Sequence, residues 1–236
     1  MGKAIFVLGT DTDVGKTFVT GGLTYSLVKN NFDAIPFKPI QSGGLFDVYK
    51  EKFIAPDIKF IEEICPFNDK QKEAVKNVYC LDNEVSPHLA ARLENVEVST
   101  NEIINHYKRL LENHDYVIVE GAGGIVVPLI EDQYFIYDLI KDLDLDVVIV
   151  ARAGIGTINH TVLTNEFLKE KNIQARGIII NNYNGEFYED DNIQMIENLT
   201  GLHVIHKFNQ LDEFTKENII DEYEKIDPEK IINLFS

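Results

Sequence analysis

Apolar residues fall in short dense runs along this chain, and stretches with helical spacing separate the runs. Residues 4–8, Ala-Ile-Phe-Val-Leu, are apolar without a break, and residues 3–8 read as a buried strand. Residues 116–119 and 147–151 have the same near-continuous character. Such runs suit parallel strands covered on both faces. Residues 177–180 form another predicted strand, and weaker ones lie at 203–206 and at 34–37, the latter interrupted by Pro36 and ended by Pro39. Helices are predicted over 16–30, 57–64, 157–172 and 191–199. Ser99-Thr100-Asn101-Glu102 has the form of a capping box and opens a helix that runs to about Asn113. A last helix spans 227–235, with Asp227 as N-cap and Pro228 in the first helical position. This alternation predicts an α/β protein with a mostly parallel, doubly wound sheet flanked by helices.

The length of 236 residues, with 44% hydrophobic and 26% charged, suits one globular domain over residues 1–236. The formal net charge of -17 opposes a nucleic-acid partner. It also means that a bound phosphate must be held by local donors and a metal, against the protein's own long-range field. Two cysteines, Cys65 and Cys80, have no metal-ligand spacing and read as reduced thiols of a cytoplasmic protein. No apolar stretch has the length of a membrane span, and the N-terminal run is too short for a signal peptide.

In doubly wound sheets, ligands sit beyond the carboxyl ends of the strands. That rule selects five segments: 9–17, 38–44, 120–124, 152–156 and 181–182. The first reads "GTDTDVGKT" and matches the phosphate-loop spacing G-x-x-x-x-G-K-[ST] between a strand and a helix. In such a loop, backbone N–H groups and the helix start curl around phosphates. Lys16 would reach the outer phosphates and Thr17 would offer its hydroxyl to Mg²⁺. Asp11 and Asp13 are unusual here, because they face an anion. They are either turn residues bonding their own backbone or groups aimed at a cationic partner.

"FKPIQSGG" (37–44) places Lys38 at a strand end, as a stabiliser of developing negative charge or as a plain surface lysine. Ser42 either donates to an oxyanion or makes a turn. "DYVIVEGAGG" (115–124) ends an apolar run in Glu120, an acid placed to ligate Mg²⁺ beside a phosphate loop. Gly121, Gly123 and Gly124 would let backbone amides face phosphate or substrate. Asp57, taken alone, reads as the N-cap of a short helix. Asn181 and Asn182 either bond an adenine edge or end a strand in a turn. "GTINHT" (156–161) opens a helix whose N–H groups suit a substrate carboxylate, and His160 reads as a packing residue.

Together "GTDTDVGKT", "KPIQSG", "SPHLAA", "VEGAGG", "GTINHT" and the Asn-Asn pair resemble, in order, the dethiobiotin synthetase family of P-loop NTPase-like proteins, over residues 4–182. The resemblance implies ATP-dependent carboxylation and ring closure of diaminopelargonic acid with CO₂, through a carbamate and a carbamic-phosphoric anhydride. It also implies a homodimer with substrate near the subunit interface, and Mg²⁺ as cofactor. Carried over by position, Lys16 and Lys38 are catalytic, and Thr17, Asp57 and Glu120 bind the metal. The nucleotide would meet Asp13, Val14, Gly15, Lys16, Thr17 and Phe18 of the loop, then Asp57, Glu120, Gly121, Ala122 and Gly123. Asn181, Asn182, Phe208, Asn209 and Gln210 would lie by its base. Thr12, Ser42, Gly156 and Thr157 would lie by the substrate. Asp57 thus becomes a metal ligand on family grounds alone.

Three positions depart from the family's pattern. Asp13 replaces the usual glutamate, Asn182 stands where many members have aspartate, and "HKFNQL" (206–211) lacks an expected proline. CTP or GTP could therefore compete with ATP. The same fold also hosts glutamine-dependent amidoligase domains and nucleotide-switched partitioning ATPases. The latter usually carry an extra lysine early in the loop, where this chain has Asp11.

Overall fold

The computed structural model describes residues 2–49 and 51–235. The chain runs β1 (Lys3–Gly9), α1 (Lys16–Lys29), β2 (Ala34–Ser42), β3 (Leu45–Asp47), β4 (Lys52–Ile54), α2 (Pro56–Ile64), α3 (Asp69–Glu73) and β5 (Asn77–Leu81). It continues through α4 (Pro87–Glu94), α5 (Thr100–Asn113), β6 (Tyr116–Glu120), β7 (Pro128–Ile130), β8 (Tyr134–Phe135), α6 (Ile136–Asp142) and β9 (Val147–Arg152). It ends with α7 (Thr157–Glu170), β10 (Ala175–Tyr183), α8 (Phe187–Thr200), β11 (Val204–Asn209), α9 (Lys216–Tyr223) and α10 (Pro228–Asn233). Seven strands form one sheet in the order β11-β10-β9-β1-β6-β2-β5. Every pairing in it is parallel. Two small antiparallel hairpins, β3–β4 and β7–β8, lie outside it.

The unbroken apolar run of β1 follows from its place at the centre. Phe6 and Leu8 belong to the core on one face, shared with Ile103, Leu139, Leu168 and Ile196 of α5 to α8. Ile5 and Val7 belong to the core on the other, shared with Val19 and Leu23 of α1 and Ile219 of α9. A strand whose side chains alternate between two covered faces must be apolar throughout.

β2 is longer than its prolines suggested. Ala34 to Phe37 pair with β6, whereas Lys38 to Ser42 pair with β5 on the opposite side. The strand is thus paired mainly on one side at a time, which makes room for Pro36 and Pro39. Lys38 consequently lies within β2 rather than after it. The capping predictions at 99 and 227 hold: Ser99 accepts from the Glu102 N–H and Asp227 from the Glu229 N–H. The Glu102 carboxylate, however, accepts from the Tyr79 hydroxyl, and the Ser99 N–H donates to that same hydroxyl, so the box closes through a tyrosine. Asp57 is not an N-cap. Ala55 holds that place, and Pro56 starts α2.

Candidate active site

The loop between β1 and α1 needs two left-handed residues, Asp13 (φ 57°) and Gly15 (φ 90°). Aspartate tolerates that region better than most side chains. At Gly15 a Cβ would lie 1.9 Å from Nδ2 of Asn181. That amide, buried, donates to the Val14 carbonyl at 3.0 Å and braces the loop from β10. Asp11 turns on itself: its carboxylate accepts the Thr12 N–H at 2.7 Å, and its carbonyl accepts from Lys16 Nζ at 3.0 Å. It is the turn residue of the two readings. The Asp13 carbonyl accepts from the Arg152 guanidinium.

Behind the loop, four side chains from four elements converge. Thr17 Oγ1, at the start of α1, donates to Glu120 Oε1 at 2.8 Å. Lys38 Nζ, from β2, donates to the same oxygen at 2.8 Å and also to Asp57 Oδ2, from α2. Glu120 ends β6 at 1% exposure and Lys38 is 5% exposed. Burial alone would lower the Lys38 pKa, but the Glu120 and Asp57 carboxylates outweigh it and hold the ammonium above its usual range. Lys16 goes the other way. Its burial lowers it, the Glu120 charge only partly resists, and the Lys38 charge adds to the fall. Glu120 Oε2 is buried with no hydrogen-bond partner among the described residues. A hydroxyl and two carboxylates beside a phosphate loop are a hard-oxygen donor set. It suits Mg²⁺, which is held by one or two carboxylates, phosphate oxygens and its own waters.

These groups open onto a cavity of about 950 Å³. Of the predicted residues, Thr12, Asp13, Gly15, Lys16, Thr17, Phe18, Lys38, Ser42, Asp57, Glu120, Ala122, Gly123, Asn181 and Asn182 line it. Others are elsewhere. Val14 is buried beneath the loop. The Gly121 N–H is tied to the Val7 carbonyl at 3.1 Å. Phe208 is fully buried, packed edge-on against Phe18 at 5.2 Å and near Tyr223 at 5.9 Å, so its ring serves the core and not the cavity wall. Asn209 is held by Glu222 through its N–H and its side-chain amide, at 2.7 and 3.0 Å. The Gln210 N–H donates to the Tyr183 carbonyl at 2.9 Å. Gly156 caps α7 with φ 90°, and the Thr157 hydroxyl donates to the Arg152 carbonyl; neither residue lines the cavity. The wall also includes Gln41, Glu84, Ser86 and Phe214, which the sequence reading passed over. The "SPHLAA" motif was the available signal for Ser86, since Pro87 opens α4 there. Phe214 stands alone in a polar stretch and carries no motif.

A parallel sheet with a phosphate loop after its central strand, and an acid ending the adjacent strand, defines a P-loop NTPase-like protein. Solved structures agree on the fold. The MinD septum site-determining protein of Pyrococcus horikoshii, complexed with Mg-ADP, superposes with a TM-score of 0.58 at 16% identity, covering 99% of this chain and 94% of that one. A ParA family ATPase of Chlorobium tepidum gives 0.58 at 11% identity, covering 100% and 97%. A family model described as an AAA domain matches residues 3–218. In sequence, the chain is 43% identical over 224 residues to the ATP-dependent dethiobiotin synthetase BioD of Clostridium kluyveri, covering 93% of this chain and 90% of that protein. It is 40% identical over 220 residues to the protein of the same name from Anoxybacillus flavithermus, covering 92% and 96%. This chain belongs to the dethiobiotin synthetase family. Among the described residues, no helix is long and apolar enough to cross a membrane.

Proposed function

We propose that this protein joins CO₂ to diaminopelargonic acid and closes the ureido ring of dethiobiotin at the expense of ATP, acting as a cytoplasmic homodimer with Mg²⁺. The observation that carries the reading is the convergence of Thr17, Lys38, Asp57 and Glu120 on one point behind the phosphate loop, in a chain of this family. Thr17, Asp57 and Glu120 would hold the metal, which when bound neutralises phosphate charge. Lys16 and the loop N–H groups hold the phosphates in line. Lys38, charged and buried beside the loop, would take up the negative charge that moves between a carbamate and the γ-phosphate.

An amine of the substrate attacks CO₂ and loses a proton to give the carbamate. A carbamate oxygen attacks the γ-phosphorus and ADP leaves. The second amine attacks the carbamoyl carbon, phosphate leaves, and a proton is released as the ring closes. Phosphate release from ATP is expected to require both the diamine and bicarbonate, with dethiobiotin identified by mass spectrometry. Release at full rate without the diamine would instead mark a nucleotide switch of the kind the fold also supports.

A further inference from the structure

The part of the cavity wall next to the phosphate loop carries Lys16, Lys38 and the Thr17 hydroxyl together with the Asp13, Asp57 and Glu120 carboxylates. Where β2 finishes, beside the start of α4, the wall carries Gln41, Ser42, Glu84 and Ser86. Gln41 lines this end at 6% exposure. Its Nε2 donates to the Ser42 carbonyl at 2.7 Å. A carbonyl can only accept, so this contact settles which way round the amide sits. Gln41 Oε1 is left buried with no hydrogen-bond partner among the described residues, and so is the neighbouring Ser42 Oγ. Buried polar atoms are nearly always paired, and unpaired ones on a cavity wall mark a place where function is favoured over stability. Glu84 adds negative charge at the same end. It stands against the Gly43 turn, where a Cβ would meet its Cγ at 3.2 Å.

A phosphate oxygen only accepts, so Gln41 Oε1 offers it no bond. An amine brings N–H donors and, before it reacts, positive charge. We propose that Gln41 is a specificity-determining residue for the diamine, its side-chain carbonyl accepting a substrate amine N–H and so turning the substrate's nitrogens toward Lys38. This rests on the diamine reading given above. Glu84 favours the same orientation from the rim.

The test uses Gln41→Met and Gln41→Ala in steady-state turnover with diaminopelargonic acid, bicarbonate and Mg-ATP. KM for the diamine is expected to rise tenfold or more while KM for ATP stays within twofold. The nucleotide-free Tm separates a folding effect from a binding one, since both variants also lose the Nε2 bond to the Ser42 carbonyl. An unchanged diamine KM, or an equal rise for ATP, overturns the assignment. If Tm falls along with affinity, the wild-type protein decides. The side-chain amide protons of Gln41 should shift in ¹⁵N NMR spectra when the diamine is added without nucleotide, and no shift overturns the proposal. Failure of the wild-type enzyme to show any diamine-dependent phosphate release would instead defeat the functional reading itself.

Discussion

Replacing Lys38 with methionine keeps most of the unbranched side chain, one atom shorter, and removes its charge. The lysine lies between two carboxylates, and Glu120 beside it is 1% exposed. Without the ammonium, Glu120 keeps a single side-chain donor among the described residues, the Thr17 hydroxyl. Breaking a buried ion pair from one side costs about 3–5 kcal/mol, because the other charge stays buried and unpaired. For a chain of this size each kcal/mol lowers Tm by about 2–4 °C. The expected fall is therefore about 6–20 °C, read by calorimetry in buffer free of nucleotide and Mg²⁺. Glu120→Gln added to Lys38→Met should recover part of the loss, because it removes the stranded charge. In the wild-type background the same change should destabilise, by removing one of the two carboxylates paired with Lys38. A fall under about 2 °C for Lys38→Met, or strictly additive effects in the cycle, would refute the account of Glu120 as a carboxylate held by Lys38.

Other changes have equally definite outcomes. Lys16→Ala should lower turnover about 100-fold or more and leave Tm nearly unchanged, since its Nζ bonds only the Asp11 carbonyl among the described residues; parallel activity and melting measurements check both. Gly15→Ala forces a Cβ into the Asn181 amide at φ 90° and should cost about 2 kcal/mol or more, measured by denaturant unfolding. Asp33 is pushed up by burial but held below the usual carboxylate range by Lys70 and His114. A depressed carboxyl adds stability above its unfolded value and loses it as pH falls through its lower folded value. Asp33→Asn should therefore cost about 1 kcal/mol near neutrality, and the gap to wild type should close below about pH 4, as shown by melting curves across pH.

The central strands were legible because burial on two faces leaves a strand no freedom to be polar. β1, β6 and β9 meet that condition, and their expected runs match them to within a residue or so. β5 does not. It is a sheet edge, four of its five residues are only half-buried, and no alternation marks it. The two hairpins are too short to show a period, and α6 and α9 have only 7 and 8 residues. At the candidate site, Thr17, Lys38 and Glu120 were readable as residues near strand ends and loop motifs. The partnership of Asp57 with Lys38 was not, because it joins two elements 19 residues apart through one ion pair. Nothing in the 37–44 motif marks Gln41, since an unpaired acceptor becomes visible only when every neighbour is known.

The change of neighbour along β2 has a dynamic consequence. The Lys38 N–H donates to the Lys76 carbonyl at 2.8 Å, and the Lys38 carbonyl accepts from the Asn77 side chain at 2.8 Å. The backbone of the proposed catalytic lysine is thus moored to the outermost strand, while the acid it bonds ends a strand next to the sheet's centre. Fraying at a border opens at far lower free energy than global unfolding. Hydrogen–deuterium exchange at Lys38 should accordingly track the rim of the sheet and not its middle, so the lysine can loosen while Glu120 stays fixed.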